Sequence, residues 1–177
     1  MSVRLKRDFF LRDINIVARQ LIGKIIVRKF ETMKEERFRI TEIEIYVGEE
    51  DLASHASKGR TKRTEVIYSC GGYVYVYLIY GIYWLLNIVT GKKDQAQAIL
   101  VRGVEGIDGP GKIGQQLKLD KSFYGEDLES SNRIWMEDDG MLCNYTFIPE
   151  LMLNMRVKFG KISCIVIKLR KQSFNSN

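Results

Sequence analysis

Residues 73–89 form a long apolar stretch that leaves the chain few ways to fold. Such a stretch is either a membrane-spanning helix or a set of buried strands. Over 73–78, tyrosines alternate with valines and a leucine, which is the two-residue period of a strand. Gly81 and Asn87 interrupt the stretch. We therefore expect no membrane span but a β-hairpin that turns at Tyr80-Gly81 and carries an aromatic side chain at its tip.

A strand predicted over residues 37–47 has two chemically different faces, because side chains alternate along a strand. One face carries Phe38, Ile40, Glu42, Glu44 and Tyr46, and the other carries Thr41, Ile43, Ile45 and Val47. We expect the second, mainly apolar face to lie in the core. On the first face, carboxylates beside a tyrosine suit general-base catalysis on a stacked substrate.

The rest of the sequence predicts short elements of both kinds. An amphipathic helix follows Asp13, a capping residue, and ends at Gly23. Further predictions are strands over 24–30, 82–89 and 96–104, a helix over 112–117, and a long loop over 48–72 with one helical turn near 49–53. The expected fold class is α+β: a single domain over 1–177, with a mainly antiparallel curved β-sheet, a protruding β-hairpin and a few short helices.

The charge distribution favours a polyanionic partner. The chain of 177 residues has a net charge of +6 and a pI near 9.2. Four cations fall within nine residues that contain no acid: Lys58, Arg60, Lys62 and Arg63. Such a run is most often a solvated surface, but cations interleaved with glycine and threonine also suit phosphate contacts.

Cysteine usage indicates a reducing, intracellular compartment. Cys70, Cys143 and Cys164 are odd in number and widely spaced, which argues against a disulfide framework. Together with one histidine they also lack the short local spacing of a zinc site, so we expect no metal and no other cofactor. The basic N-terminus is not followed by the apolar segment of a secretory signal.

Three groups are candidates for chemistry. Glu42 and Glu44 could be a glycosidase pair, but both project from one side of a strand and cannot flank a glycosidic bond, so we expect a single working acid. His55, the only histidine, lies among small residues that leave room for a ligand, although a structural role is equally compatible with composition. The tyrosines of 73–80 offer ring faces on which nucleobases stack.

These residues together resemble the alkyladenine (3-methyladenine) DNA glycosylases. The resemblance runs in order from about Asp8 to Leu128 and joins a strand acid, a lone histidine and an aromatic hairpin. Its motifs are Glu44-Ile45-Tyr46-Val47-Gly48-x-Glu50-Asp51-x-Ala53-Ser54-His55, Tyr75-Val76-Tyr77-Leu78-Ile79-Tyr80-Gly81-Ile82-Tyr83 through Asn87, Leu100-Val101-Arg102, Gly109-Pro110-Gly111-Lys112 and Lys121-Ser122-Phe123. Lys62 and Thr64 depart from the family's usual proline and asparagine.

The resemblance implies roles for the residues of a base-binding pocket. Tyr46 on one side, and His55 with Tyr77 on the other, would sandwich a base extruded from the duplex. Asn87 and Leu100 would line the pocket, and Asn87 would disfavour the exocyclic amino group of guanine.

The resemblance also implies the catalytic and DNA-distorting groups. Glu44 would be the general base for an attacking water, and Arg102 would help to hold that water. Tyr80 would fill the gap that the extruded nucleotide leaves in the duplex.

The expected activity is hydrolysis of the N-glycosidic bond of alkylated or otherwise damaged purines, which leaves an abasic site. The expected partner is double-stranded DNA containing damaged purines, bound by a monomer without membrane association. Such a protein would reside with the DNA, in the cytoplasm or nucleoid of a prokaryote or the nucleus of a eukaryote. The alternative is a non-catalytic nucleic-acid-binding module in which Glu44 is only structural.

Overall fold

The computed structural model describes residues 2–141, 145–149 and 165–169. The helices are α1 (Arg7–Phe10), α2 (Ile14–Leu21) and α3 (Pro110–Gln116). The strands are β1 (Val3–Arg4), β2 (Ile25–Lys29), β3 (Glu35–Val47), β4 (Val74–Ile79), β5 (Tyr83–Thr90), β6 (Gln97–Val104), β7 (Ile107–Asp108), β8 (Ile134–Asp138), β9 (Tyr145–Pro149) and β10 (Ile165–Leu169). Every strand pair among the described residues is antiparallel, so the α+β class with a mainly antiparallel sheet is confirmed.

The sheet runs in the order β1-β8-β2-β3-β6-β5-β4, with the long strand β3 at its centre. On one edge β3 pairs first with β2 and then with β10, whose outer neighbour is β9. On its other edge β3 pairs with β6, which carries β5 and then β4 outward. Strand β3 therefore connects β2 and β10 to the part of the sheet that carries the hairpin.

Helix α2 covers the sheet as the sequence pattern predicts. Ile14, Val17, Ala18 and Leu21 are buried. The carboxylate of Asp13 accepts hydrogen bonds from the backbone N–H groups of Asn15 at 2.9 Å and Ile16 at 3.4 Å. Gly23 follows the helix with a φ of 86°, a conformation that costs glycine little. Helix α1 was not anticipated from the sequence; it spans only four residues, too few to show a helical period.

The loop over 48–72 differs from its prediction. There is no helical turn at 49–53; instead short 3₁₀ turns span His55–Lys58 and Glu65–Tyr68. The reason is Asp51, whose buried carboxylate accepts hydrogen bonds from the N–H groups of Val47 at 3.2 Å and Ala53 at 3.0 Å. A side chain that binds these amides holds the backbone in a turn outside the helix.

The prediction of the two faces of β3 was partly wrong. Ile43 and Ile45 lie in the core as expected, but Phe38 and Ile40, predicted on the face of Glu44, lie in that same core. The pairing of β3 with β6 shifts between Ile40 and Ile43, which inverts the alternation. A period of two predicts one face correctly only where no bulge intervenes.

The hairpin prediction is confirmed: β4 and β5 pair from Val74↔Ile88 to Ile79↔Tyr83 and project a three-residue tip. No helix among the described residues is long and apolar enough to cross a membrane. Cys70 is a free thiol, whereas Cys143 and Cys164 lie outside the described residues.

Candidate active site

Four neighbouring strands bring three of the predicted site residues and Tyr75 into one row. In the sheet register Glu44 of β3 is opposite Leu100 of β6, Leu100 is opposite Asn87 of β5, and Asn87 is opposite Tyr75 of β4. Opposed residues of antiparallel strands point to the same face. The sheet itself therefore places a carboxylate at one end of the row and a tyrosine at the other.

Glu44 is buried and bonded on both of its oxygens. It is 5% exposed, accepts a hydrogen bond from the Tyr46 hydroxyl at 2.8 Å, and forms an ion pair with Nη1 of Arg102. Burial lowers the pKa of Arg102, but its hydrogen bonds and ion pairs with Glu44 and Glu42 outweigh this and raise that pKa above its usual value. The guanidinium therefore stays charged beside the acid.

His55 is held by the tyrosines of the hairpin. Its Nδ1 lies 2.8 Å from the Tyr75 hydroxyl, and its ring meets the Tyr77 ring edge-on, with centroids 4.4 Å apart. Burial lowers the pKa of His55 below its ordinary 6.5, and the nearby cations Arg63 and Lys58 lower it further. The imidazole is therefore neutral at neutral pH.

The chemistry of Tyr75 indicates which ring nitrogen of His55 carries the proton. Burial raises the pKa of Tyr75 to about 12, so the hydroxyl keeps its proton. The hydroxyl can therefore donate this proton to Nδ1 of His55. We predict this arrangement, which leaves Nε2–H as the donor that the ring offers to a ligand.

These side chains enclose a small cavity. Its lining consists of Tyr46, Ala53, Ser54, His55, Ile67, Tyr75, Tyr77, Asn87 and Ala98. The structure thus brings together four of the five residues predicted to bind a base, whereas Leu100 lies in the row but does not line the cavity. The volume is about 30 Å³, compared with at least about 300 Å³ in a typical ligand pocket. A purine can enter only if the walls move apart.

Asn87 is a rigid part of this wall. It is 2% exposed, and its Nδ2 donates to the backbone carbonyls of Tyr75 at 3.2 Å and Leu85 at 3.4 Å. Because both bonds go to the strand backbone, the amide cannot turn aside without losing them.

Tyr80 lies at the tip of the hairpin and is 85% exposed. It has a φ of 53° and Gly81 a φ of 70°, and the N–H of Ile82 closes the turn by donating to the Ile79 carbonyl at 3.1 Å. Leu78 and Ile82 are exposed next to it. The tip is thus an apolar projection on a tight turn, an uncommon position for a large aromatic side chain.

The four cations of the 58–63 loop are exposed but not equivalent. Arg60 forms ion pairs with Glu65 at 2.6 Å and Asp94 at 2.9 Å, so its charge is already neutralised. Arg63 lies over the Tyr77 ring at 5.9 Å. Lys58, Lys62 and Arg63 have no ion pair among the described residues. Because Arg63 lies over Tyr77, the two lysines are the better candidates for phosphate contacts.

Two tyrosines support the site in ways that the sequence analysis did not predict: Tyr75 was expected only to offer a stacking face, and Tyr124 was given no role. Tyr75 fixes His55, and the Tyr124 hydroxyl bonds to the Lys62 and Arg63 carbonyls at 3.1 Å and 3.2 Å. The strand period placed Tyr75 beside Tyr77 and could have revealed it. No sequence signal links Tyr124 to a loop about 60 residues away.

The arrangement suits acid–base chemistry on an aromatic ligand. A buried acid held by an arginine accepts a hydrogen bond from Tyr46, which lines a pocket with aromatic walls and a neutral histidine. No group of three or more His, Cys, Asp or Glu side chains within 2–141, 145–149 and 165–169 could hold a metal ion.

The chain is similar to known proteins over most of its length. The profile of the family described as methylpurine-DNA glycosylase (MPG) matches residues 8–108. A relative from Natranaerobius thermophilus is 38% identical over 175 residues, covering 86% of this chain and 88% of that protein. One from Legionella pneumophila strain Corby is 39% identical over 154 residues, covering 83% of each. Both carry the name "Putative 3-methyladenine DNA glycosylase".

Proposed function

This chain belongs to the methylpurine-DNA glycosylase family, and from that premise we propose that Glu44 activates the water that releases an alkylated purine from DNA. The protein is a base-excision-repair DNA glycosylase, a hydrolase that acts on DNA. One observation carries the assignment of Glu44. It is a buried carboxylate, anchored by Arg102 and Tyr46, in the same row as the pocket wall.

The reaction needs only one acid because the leaving group is already activated. An N-alkylated purine carries a positive charge, so it departs as a neutral base when it takes the electron pair of the glycosidic bond. The water oxygen bonds to C1′ of the deoxyribose while Glu44 accepts a proton from the water. Arg102 orients that carboxylate and the water beside it.

The aromatic pocket recovers part of the energy spent in extruding the base. Flipping a nucleotide costs a few kcal/mol, and less when the base is damaged or poorly paired. Stacking on Tyr46, and on His55 with Tyr77, recovers about 1–3 kcal/mol per base. Electron-rich rings also attract a cationic purine. Asn87, fixed by the backbone, excludes the amino group of guanine from the pocket.

The hairpin and its neighbouring loop supply the contacts to the duplex. Tyr80 fills the vacated stack. Two observations support this role: the side chain is exposed, and it lies in a left-handed turn at the tip of the hairpin. Lys58 and Lys62 contact backbone phosphates, with Arg63 near the pocket mouth and Arg60 in a secondary role because of its ion pairs.

We propose further that residues 1–177 work as one glycosylase domain and as a monomer, inside the cell and with the DNA. The substrate on this proposal is double-stranded DNA with damaged purines. The competing function, a binding module without turnover, has the same loop and hairpin and differs only in whether Glu44 acts as a base.

Excision from defined duplexes tests the proposal. Duplexes with a single alkylated purine are incubated with wild-type protein, Glu44→Gln or Glu36→Gln, and hot alkali then cuts each abasic site for quantification on a gel. Glutamine retains the size of Glu44 and can still accept from Arg102, but it cannot take up a proton. Glu36 is a matched control, since it lies on the same strand and its partners, Lys34 at 2.8 Å and Gln116 at 3.5 Å, lie outside the site.

We expect Glu44→Gln to lower the excision rate by about 10²- to 10⁴-fold, the usual contribution of a general base, while lesion-duplex binding persists. Glu36→Gln should behave as wild type. Excision at the wild-type rate by Glu44→Gln would remove Glu44 as the base. Binding without any excision by wild-type protein would favour the binding module.

A further inference from the structure

We propose that Glu42 is a positioning residue that, held by Lys168 of β10, orients Arg102 toward Glu44. The inference rests on the proposed function, since it concerns how the catalytic pair is assembled. It gives a role to an acid with no role in the reaction as described above. It also connects the site to the C-terminal strand, which lies outside the family match at residues 8–108.

Glu42 bridges two cations with its two oxygens. Its Oε1 lies 3.2 Å from Nε of Arg102, and its Oε2 lies 2.8 Å from Nζ of Lys168. Arg102 in turn reaches Glu44 through Nη1. The four side chains form a chain of alternating charge, Lys168, Glu42, Arg102 and Glu44, that runs from β10 across β3 to β6 and back.

Arg102 needs such an anchor because an arginine side chain has many rotamers and loses about 2 kcal/mol of entropy when it is fixed. A single contact at Nη1 leaves the plane of the guanidinium free to rotate. A second contact at Nε sets that plane. The hydrogen bond to Glu42 likewise raises the pKa of Lys168, which keeps the outer cation charged.

An irregularity in the sheet places Glu42 and Arg102 side by side. Ile40 pairs with Val104 and Ile43 with Val101, but between them Glu42 pairs with Gly103. One residue on each strand is therefore left out of the pairing, so both strands reverse their alternation together. The reversal keeps Ile40 in the core while turning Glu42 to the face of Glu44.

Gly103 permits this close approach. A Cβ at residue 103 would lie 2.9 Å from Oγ1 of Thr41 and 3.0 Å from Cβ of Glu42, distances that force a neighbour to move. A side chain at 103 would thus press on Thr41 and on Cβ of Glu42, whose carboxylate contacts Arg102. The positioning role of Glu42 therefore requires a residue without a side chain at position 103.

Single-turnover excision, with enzyme in excess over an alkylated-purine duplex, tests the inference because it separates the rate constant from the fraction of active protein. The variants are Glu42→Gln, Lys168→Met, Lys168→Arg and the double variant of Glu42→Gln with Lys168→Met. Lesion-duplex binding is measured in parallel, and Glu36→Gln again serves as the control from the same strand.

We expect Glu42→Gln to lower the rate constant by about tenfold to a hundredfold, as removal of an outer partner commonly does, with amplitude and duplex affinity unchanged. Lys168→Met should lower it less, and Lys168→Arg should restore it. The double variant should be no slower than Glu42→Gln alone, because both act through one contact.

A wild-type rate constant in Glu42→Gln would overturn the positioning role, and so would losses that multiply in the double variant. A fall in amplitude with an unchanged rate constant would show that Glu42 only stabilises the fold. If Glu42→Gln does not fold, a wild-type rate constant in Lys168→Met overturns the inference. Failure of wild-type protein to excise any base would instead refute the proposed function.

Discussion

Removing one oxygen atom from Tyr75 should release His55. In Tyr75→Phe the ring remains packed between Tyr77 and Tyr124, with centroids at 5.6 Å and 6.1 Å, so the hydrophobic core is preserved. What is lost is the 2.8 Å hydrogen bond to Nδ1 of His55. The substitution therefore tests the hydrogen bond separately from the packing.

The magnitude follows from the burial of the two partners. A hydrogen bond between neutral groups contributes about 1 kcal/mol, and a buried acceptor left without a partner costs about 1–3 kcal/mol. We expect the free energy of unfolding to fall by about 1–3 kcal/mol, which for a chain of this size lowers Tm by roughly 2–4 °C per kcal/mol. Lesion-duplex affinity should fall about fivefold, because the hydrogen bond that orients His55 toward the base contributes about 1 kcal/mol to the free energy of binding.

The assay exploits the fact that the chain has one histidine. After labelling with ¹⁵N-histidine, NMR reports a single pair of ring nitrogens, and the wild-type ring should be protonated on Nε2. Tyr75→Phe should show a mixture of both tautomers. Tyr68→Phe is the matched control, because it removes a buried hydroxyl that bonds to Glu49 at 2.6 Å and does not touch His55.

Two results would refute this reasoning. One is a wild-type ring protonated on Nδ1, which would mean that His55 donates to Tyr75 and not the reverse. The other is a Tyr75→Phe variant whose tautomer and lesion affinity match wild type while its stability falls no more than that of Tyr68→Phe.

Three further predictions follow from the hairpin tip, the cationic loop and the depressed pKa of the histidine. Tyr80→Ser should lose more excision activity on duplex DNA than on the same lesion in a single strand, and equal losses would place Tyr80 outside the stack. Neutralising Lys58 and Lys62 should reduce the slope of the logarithm of the DNA-binding constant against the logarithm of the salt concentration by about one per cation. Neutralising Arg60, already paired with two acids, should change the slope little, and a reversed order would place the phosphate track elsewhere. The pKa of His55 in the folded protein is below its ordinary 6.5, so as pH decreases the unfolded chain takes up this proton before the folded chain does. The contribution of His55 to the free energy of unfolding is therefore fully present above pH 6.5 and is lost as pH decreases through the folded pKa. Denaturant unfolding from above pH 7 down to about pH 5 should show this decrease in the free energy of unfolding for wild type and not for His55→Gln.

Local patterns in the sequence determine the elements that carry the site. Alternation over 73–78 and the glycine at 81 are sufficient for the hairpin, because strand period and turn chemistry act between near neighbours. For the same reason the capped helix α2 and the strand that carries Glu44 were predicted correctly. The chemical types of the site residues are likewise fixed by the sequence alone.

The tertiary structure decided how those residues meet. Whether Ile40 shares a face with Glu44 depends on a paired irregularity in β3 and β6, which no residue of β3 alone encodes. Arg60 is neutralised by Asp94, and Glu42 is bridged to Lys168, across 34 and 126 residues of chain. Alternation and turn propensities act over a few residues, whereas ion pairs and sheet register depend on which distant segments fold against one another. The sequence thus supplied the chemistry of the site, and long-range packing supplied its geometry.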